Sequence, residues 1–360
     1  TALADPNWCL RGVGEGDEKR LLEEFQKCHA VFAKLKEGSQ RVIADIAQRM
    51  ATGMAEFVTK DLGQGTTSVS QYSRYCHFVA GLVGEGLSRL FAISGLESPS
   101  MTFELYLSDQ MGLFLQKVNI IRDYLEDYVD GRTFWPQSVW KKYSKNGDLG
   151  YFANPNDQET KDAALQCLNE MITDVLELAP DCLAYMRLLK CEEVFRFCAI
   201  PQVMAIATLD KCYDNPDVFT GVVKIRKGLS CKLILGTNNM VGVHQSFYRF
   251  AKSIQQKAKA IQHDDPNVER TLKACDAICE LTGSSVTLER KRQRLMLLTS
   301  CLVAAGAVAI ASSPRQMVRT SATTMLSAVA VAASSYATIS TFFPAPSVLK
   351  PATKLIEEGQ

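Results

Sequence analysis

The segment FLQKVNIIRDYLEDYVDGRTFWPQ, Phe114 to Gln137, sets Asp123 and Asp127 four residues apart in an otherwise apolar helical pattern. With 3.6 residues per turn, Gln116, Asn119, Asp123 and Asp127 fall along one face. Phe114, Leu115, Val118, Ile120, Ile121 and Leu125 supply enough apolar surface to bury much of the remainder, so the polar stripe is expected to line a cavity rather than face bulk solvent. Two carboxylates at this spacing repel each other by a few tenths of a kcal/mol, and more where water is excluded, so a positive partner is needed. Arg122, Lys117 or a basic side chain from elsewhere could supply it. The alternative is a hard divalent cation: Mg²⁺ takes one or two carboxylates plus substrate phosphates and keeps waters that Gln116 and Asn119 could hold. On that reading the Asp-x-x-x-Asp pair is a diphosphate dock.

The elements that must hold these carboxylates are helical almost throughout. From Asp17 to Leu62 apolar residues recur at steps of three and four, Gly63 to Ser70 is a polar break, and a second helical run covers Gln71 to Ser94. That run contains YCHFVAGLVGEGLSRLF, whose Ala80, Gly81, Gly84 and Gly86 cost helix propensity; either another helix approaches closely or the wall leaves room for a long apolar ligand. Helices around Thr160 to Leu189 and Cys191 to Cys212 follow, the latter with Pro201 inside FCAIPQVMAIATL, where it should kink the helix and free a carbonyl. VKIRKG, Val223 to Gly228, crowds Lys224, Arg226 and Lys227 at the edge of an apolar region, as a solvated patch or a phosphate clamp. Few segments alternate with period two, so the body reads as all-α over residues 1–288.

Residues 289–360 differ. ERKRQR, Glu289 to Arg294, precedes nineteen uncharged residues, Leu295 to Ser313, long enough to span a hydrocarbon core. Ser321 to Phe343 is marginally hydrophobic, a second span or an interfacial segment. The basic run before the first span places the body on the cytosolic side.

Composition excludes several classes. Lys plus Arg (40) balance Asp plus Glu (39), which argues against a nucleic-acid partner. The twelve cysteines are scattered without a Cys-x-x-Cys, which fits a reducing compartment better than a disulfide framework. Cys275 and Cys279, one turn apart, lack further ligands at useful spacing. With four histidines and no His-Glu-x-x-His, a zinc hydrolase is not expected.

Four blocks, YCHFVAGLVGEGLSRLF, MGLFLQKVNIIRDYLEDYVDGRTFWPQ, FCAIPQVMAIATL and VKIRKG, resemble in content and order the signature blocks of the squalene synthases, farnesyl-diphosphate farnesyltransferases of sterol synthesis. The resemblance covers most of Gln40 to Asn238. It implies an all-α isoprenoid synthase bundle around a central cavity. Two farnesyl diphosphates would be condensed head to head to presqualene diphosphate and then reduced with NADPH to squalene, in a monomer anchored in the endoplasmic reticulum membrane. It implies Mg²⁺ held by Asp123 and Asp127 with Glu126 assisting, and Tyr75 as the catalytic tyrosine. The prenyl chains would meet Val79, Val83, Met111, Leu115, Phe197 and Pro201, with Gln116 and Arg122 completing the substrate-binding set. NADPH would meet Asn119, Lys224 and Arg226; no Gly-x-Gly-x-x-Gly follows a strand, so the nucleotide would not be held as in a Rossmann fold. Phytoene synthases share the Asp-rich helix, whereas VKIRKG resembles the reductase feature of the squalene type. The family's first Asp-x-x-Glu-Asp motif does not occur between Thr1 and Met111, and the chain reads as truncated at its N-terminus. A noncatalytic, membrane-tethered helical scaffold is the alternative that this departure leaves open.

Overall fold

The computed structural model describes residues 2–311 except 154 and 156, with side chains described to residue 304. It is all-α: no strand occurs among the described residues. Three helices, α1 (Gly16–Glu23), α2 (Gln26–Phe32) and α3 (Glu37–Val58), replace the single helical stretch of the N-terminal pattern. Next come α4 (Val69–Cys76), a π-helical turn over His77–Gly81, and α5 (Leu82–Ser94). Ser68 starts this run by accepting a hydrogen bond from the Gln71 backbone N–H, as an N-cap serine does. Then follow α6 (Leu105–Arg122), α7 (Tyr124–Val129), α8 (Gln137–Trp140), α9 (Gln158–Leu176), α10 (Ala179–Leu188) and α11 (Glu192–Cys212). The series closes with α12 (Lys227–Gly236), α13 (Met240–Ala260) and α14 (Val268–Ala311).

Helix α6 is the central element, packed against α5, α9, α10 and α11. That position explains its apolar character: Phe114, Val118, Ile120 and Ile121 are all buried. The approach of α5 is set by glycine. A Cβ on Gly112 would lie 2.3 Å from the Ala80 carbonyl oxygen, and one on Gly84 would lie 2.2 Å from that of Ser108. Both collisions are with backbone, which cannot rotate away. Gly112→Ala is therefore expected to cost about 1–3 kcal/mol, the usual price of overpacking a filled interior, read as a lower Tm in thermal denaturation. An unchanged Tm would mean that the two helices can separate freely.

The stretch from Val69 to Ser94 is long and apolar enough to cross a membrane, with a mean hydropathy of 1.3 over its best window. Here it is a wall of the bundle: Tyr72, Tyr75, Cys76 and Leu82 are buried in the core and Gly84 is pressed on α6.

The chain divides into two compact units, residues 1–281 and 282–360, a boundary inside α14 and seven residues before the one expected from the basic run. In the second unit the expected span is helical as far as Ala311, and Leu295, Leu297, Leu298, Leu302 and Val303 are exposed. The second apolar segment, 321–343, lies outside the described residues. All twelve cysteines are free thiols. Cys275 and Cys279 are buried, and no third ligand joins them in a metal-binding cluster among the described residues.

Candidate active site

The acidic stripe survives folding, with one change. The helix expected to carry both aspartates is broken between them: α6 ends at Arg122, and Asp123 leaves helical geometry (φ −94°, ψ 16°) before α7 begins. The break sits where Tyr124 is buried, its ring 4.8 Å from Trp135 and 5.1 Å from Phe219, with its hydroxyl donating to the Leu149 carbonyl at 3.2 Å. The Asp127 N–H still donates to the Asp123 carbonyl at 2.9 Å, so the carboxylates remain one turn apart.

Their surroundings differ. Asp123 is held by its neighbour: Arg122 donates from Nε to Oδ1 at 2.7 Å and from Nη2 to Oδ2 at 2.6 Å. That is the side-chain pairing the sequence left as the alternative to a cation, and it satisfies only one of the two. The Asp127 carboxylate, half-buried, has no hydrogen bond or ion pair among the described residues. Burial first, then the Asp123 charge, push its carboxyl up from 3.8 to about 6, with Arg132 pulling the other way and Glu126 and Asp130 adding to the repulsion. A part-buried carboxylate among other carboxylates and without a cation is the donor set a hard divalent ion would complete, so these residues fit Mg²⁺. Glu126 is exposed at the same rim, Gln116 is half-buried and Asn119 exposed.

Tyr75 stands on the last turn before the π-helical segment. Its ring stacks on Phe134 (4.3 Å, 18° between planes) and meets Phe57 edge-on at 5.2 Å. Phe134 is held there by a loop-to-loop seam. Thr66 Oγ1 donates to the Phe134 carbonyl at 3.0 Å, Gln137 N–H donates to the Thr66 carbonyl at 2.7 Å, and Thr133 Oγ1 donates to the Leu62 carbonyl at 2.8 Å. Gly65, at φ +78°, completes the seam; a Cβ there would strike the Trp135 carbonyl oxygen at 2.0 Å. Burial raises the Tyr75 phenol to about 12, with Asp127 adding to the rise and Arg132 opposing it. The phenol therefore shares one electrostatic neighbourhood with Asp127. At about 12 it is neutral at physiological pH in the ligand-free protein.

Val79, Val83, Met111, Leu115, Phe197 and Pro201 line one cavity of about 240 Å³ between the π-helical turn and α5, α6 and α11. Helix α11 continues unbroken through Pro201. Val83 and Phe197 are largely exposed at the mouth, and Met111 is buried at the floor. Ala80 and Gly84 join the wall, so the small residues both admit a neighbouring helix and shape the cavity. The acidic stripe does not line this cavity. Leu115 and Asp123 are eight residues apart, about 12 Å along a helix at 1.5 Å per residue, so α6 presents an apolar floor at one end and an acidic rim at the other.

Two features escaped the sequence reading. Arg132, in the DGRTFWPQ loop, is the cation that acts on both Asp127 and Tyr75. Gln202 is fully buried in the cavity wall, donating through Nε2 to the Met111 carbonyl at 3.0 Å while its Oε1 has no partner among the described residues. Its position beside Pro201 was the available signal. At the other flank Lys224, Arg226 and Lys227 are exposed around the start of α12 and make no ion pair among the described residues.

The profile of the squalene/phytoene synthases matches residues 3–228, which hold every one of these elements. The chain belongs to the squalene/phytoene synthase family. Among relatives of this family, a squalene synthase of Mus musculus is 49% identical over 271 residues, covering 75% of this chain and 62% of its own length. The squalene synthase LSS of Botryococcus braunii is 45% identical over 297 residues, covering 81% of this chain and 62% of that protein. The chain thus spans about three fifths of the length of these relatives. A solved TcSQS chain in complex with a ligand superposes with a TM-score of 0.71 at 36% identity, covering 79% of this chain and 80% of that one. The squalene/phytoene synthase fold is therefore the architecture around the acidic rim, Tyr75 and the apolar cavity.

Proposed function

We propose that this chain acts as a squalene synthase, joining two farnesyl diphosphates head to head into presqualene diphosphate and reducing it to squalene with NADPH. The observation that carries the reading is the two-ended α6. Its acidic rim suits a diphosphate and its apolar floor suits a prenyl chain, with a neutral tyrosine in the field of the rim. When bound, Mg²⁺ would neutralise the departing diphosphate and NADPH would supply hydride. Asp127 and Asp123 would hold the cation, with Glu126 at the rim, and Arg122 fixes the direction of the Asp123 carboxylate. Gln116 and Asn119 would hold waters bound to that cation. Val79, Val83, Leu115 and Phe197 would exclude water from a developing carbocation and position the chain, and Tyr75 is the group that would take the proton released there. Lys224 and Arg226 would hold the cofactor phosphates as surface charges.

The reductase half is tested separately. Arg226→Ala and Lys224→Ala are expected to raise the KM for NADPH by about tenfold to a hundredfold, the worth of one charge-assisted hydrogen bond. Formation of presqualene diphosphate should be unchanged. If the variants bind NADPH normally, the patch is only a solvated surface. The anchor is part of the same proposal: the exposed leucines of residues 295–302 would sit in the endoplasmic reticulum membrane with the first unit in the cytosol.

The deciding experiment is product analysis by gas chromatography. Protein expressed from its complete reading frame is given farnesyl diphosphate and Mg²⁺ with and without NADPH. Squalene formed only with NADPH is the expected result, hydrocarbon formed without reductant selects a phytoene-type enzyme, and no turnover from folded protein selects a scaffold.

A further inference from the structure

A second cluster of ligating groups lies on the outer side of the same helix pair. His77 of the π-helical turn and Glu85 of α5 meet Asp109 of α6, and one ligand atom from each lies within 4.8 Å of the others. Asp109 precedes Asp123 by fourteen residues, about 21 Å along a helix, so this cluster is separate from the acidic rim.

The fold builds it with two devices. In an unbroken α-helix, residues eight apart differ by about 80° around the axis; a π-turn absorbs one extra residue and cuts that offset to about 20°. The π-helical segment His77–Gly81 thereby turns His77 onto the face of Glu85. The second device is Gly81. The Asp109 Oδ1 sits 1.8 Å from where a Cβ on Gly81 would be, so only glycine lets that carboxylate reach His77, whose Nδ1 is 2.6 Å from it. One cation, Arg49, is paired directly with the cluster, donating from Nη1 to Glu85 Oε2 at 2.7 Å and also reaching Asp45 at 4.0 Å, while the buried Lys117 ammonium acts on Asp109 without a direct ion pair. The side chains are mostly covered (29%, 10% and 17% exposed for His77, Glu85 and Asp109), so they are partly dehydrated yet reachable by an ion.

We propose that His77, Glu85 and Asp109 form a divalent transition-metal site, Zn²⁺ by preference, that staples the π-helical turn and α5 to α6. One imidazole and two carboxylates are the nitrogen and oxygen donors of a three-protein-ligand zinc site with a water in the fourth position, and imidazole selects against Mg²⁺. Tetrahedral bonds of about 2.0–2.2 Å require the three side chains to adjust by about an ångström. Ion binding displaces the Arg49 guanidinium from Glu85 and the hydrogen shared by His77 and Asp109. It clamps the segment that carries Ala80 and Gly84 of the cavity wall against the one that carries Met111 and Gly112.

The test is a Co²⁺ titration of the full chain, followed by visible absorption and competed with Zn²⁺, beside Glu85→Gln and Asp109→Asn, both isosteric. Each variant should weaken binding by at least about tenfold, the cost of losing even an outer-shell partner. Arg49→Met should tighten binding and Asp127→Asn should leave it unchanged. With four histidines in the chain, Co²⁺ should broaden one histidine ring signal in NMR, the one missing in His77→Gln. Equal affinity in wild type and both carboxamide variants overturns the proposal. So does a sulfur-to-cobalt charge-transfer band, which would place the ion on cysteines, or broadening of no His77 signal.

Discussion

Asp127→Asn is expected to lower kcat/KM for farnesyl diphosphate by about 10³-fold or more while raising the stability of the metal-free protein at neutral pH. The loss follows from removing the ligand on which a cation would depend, since one charged contact to a metal-bound leaving group supplies several kcal/mol, and each 1.36 kcal/mol is about tenfold in rate. The gain in stability has the opposite origin. The folded protein raises the Asp127 carboxyl from 3.8 to about 6, so the native state holds the proton more tightly than the unfolded chain. Ionised Asp127 therefore costs stability above about pH 6, and the cost fades as the pH falls towards 3.8. Chemical denaturation in EDTA should find the variant ahead of wild type at pH 7–8 and level with it near pH 4. Mg²⁺ should stabilise wild type more than the variant. Parallel losses of activity and stability would instead mark Asp127 as a structural residue.

Tyr75→Phe should separate chemistry from packing in the other direction. The ring contacts with Phe134 and Phe57 survive the substitution, and the hydroxyl makes no hydrogen bond among the described residues, so no partner is orphaned and Tm should hold. Activity should fall by about 10²- to 10⁴-fold in kcat, the range of a lost general acid or base, with KM little changed. Because burial carries the phenol to about 12, wild-type activity should show no ionisation of Tyr75 up to about pH 10. An alkaline limb near pH 8 that Tyr75→Phe abolishes would mean that bound substrate or cation lowers that value and that the phenolate is the working form.

Much of this architecture is legible in the residues because helical periodicity is a local property. The apolar steps give the helices of the body and the stripe of Gln116, Asn119, Asp123 and Asp127, and the glycines of YCHFVAGLVGEGLSRLF announce a close approach. What the pattern does not carry is a departure that leaves periodicity almost intact. The π-turn at His77–Gly81 adds one residue to a turn without a proline or a polar gap, and the interruption at Asp123 follows from the anchoring of Tyr124 against residues ten and more positions away.

By itself the sequence determined the helical class, the family blocks, the pairing of two aspartates on one face and the residue types suited to a prenyl chain. Each of these rests on spacing along one segment. Only the tertiary structure decided that Arg122 claims Asp123 and leaves Asp127 unpaired, that Tyr75 in the ligand-free protein is a neutral phenol in reach of Asp127 and Arg132, and that the apolar cavity and the acidic rim lie at different ends of α6. It also decided that His77, Glu85 and Asp109 converge. The reason is physical: proton affinity and ligand geometry depend on burial and on charges brought from other segments, and neither exists until the chain has packed.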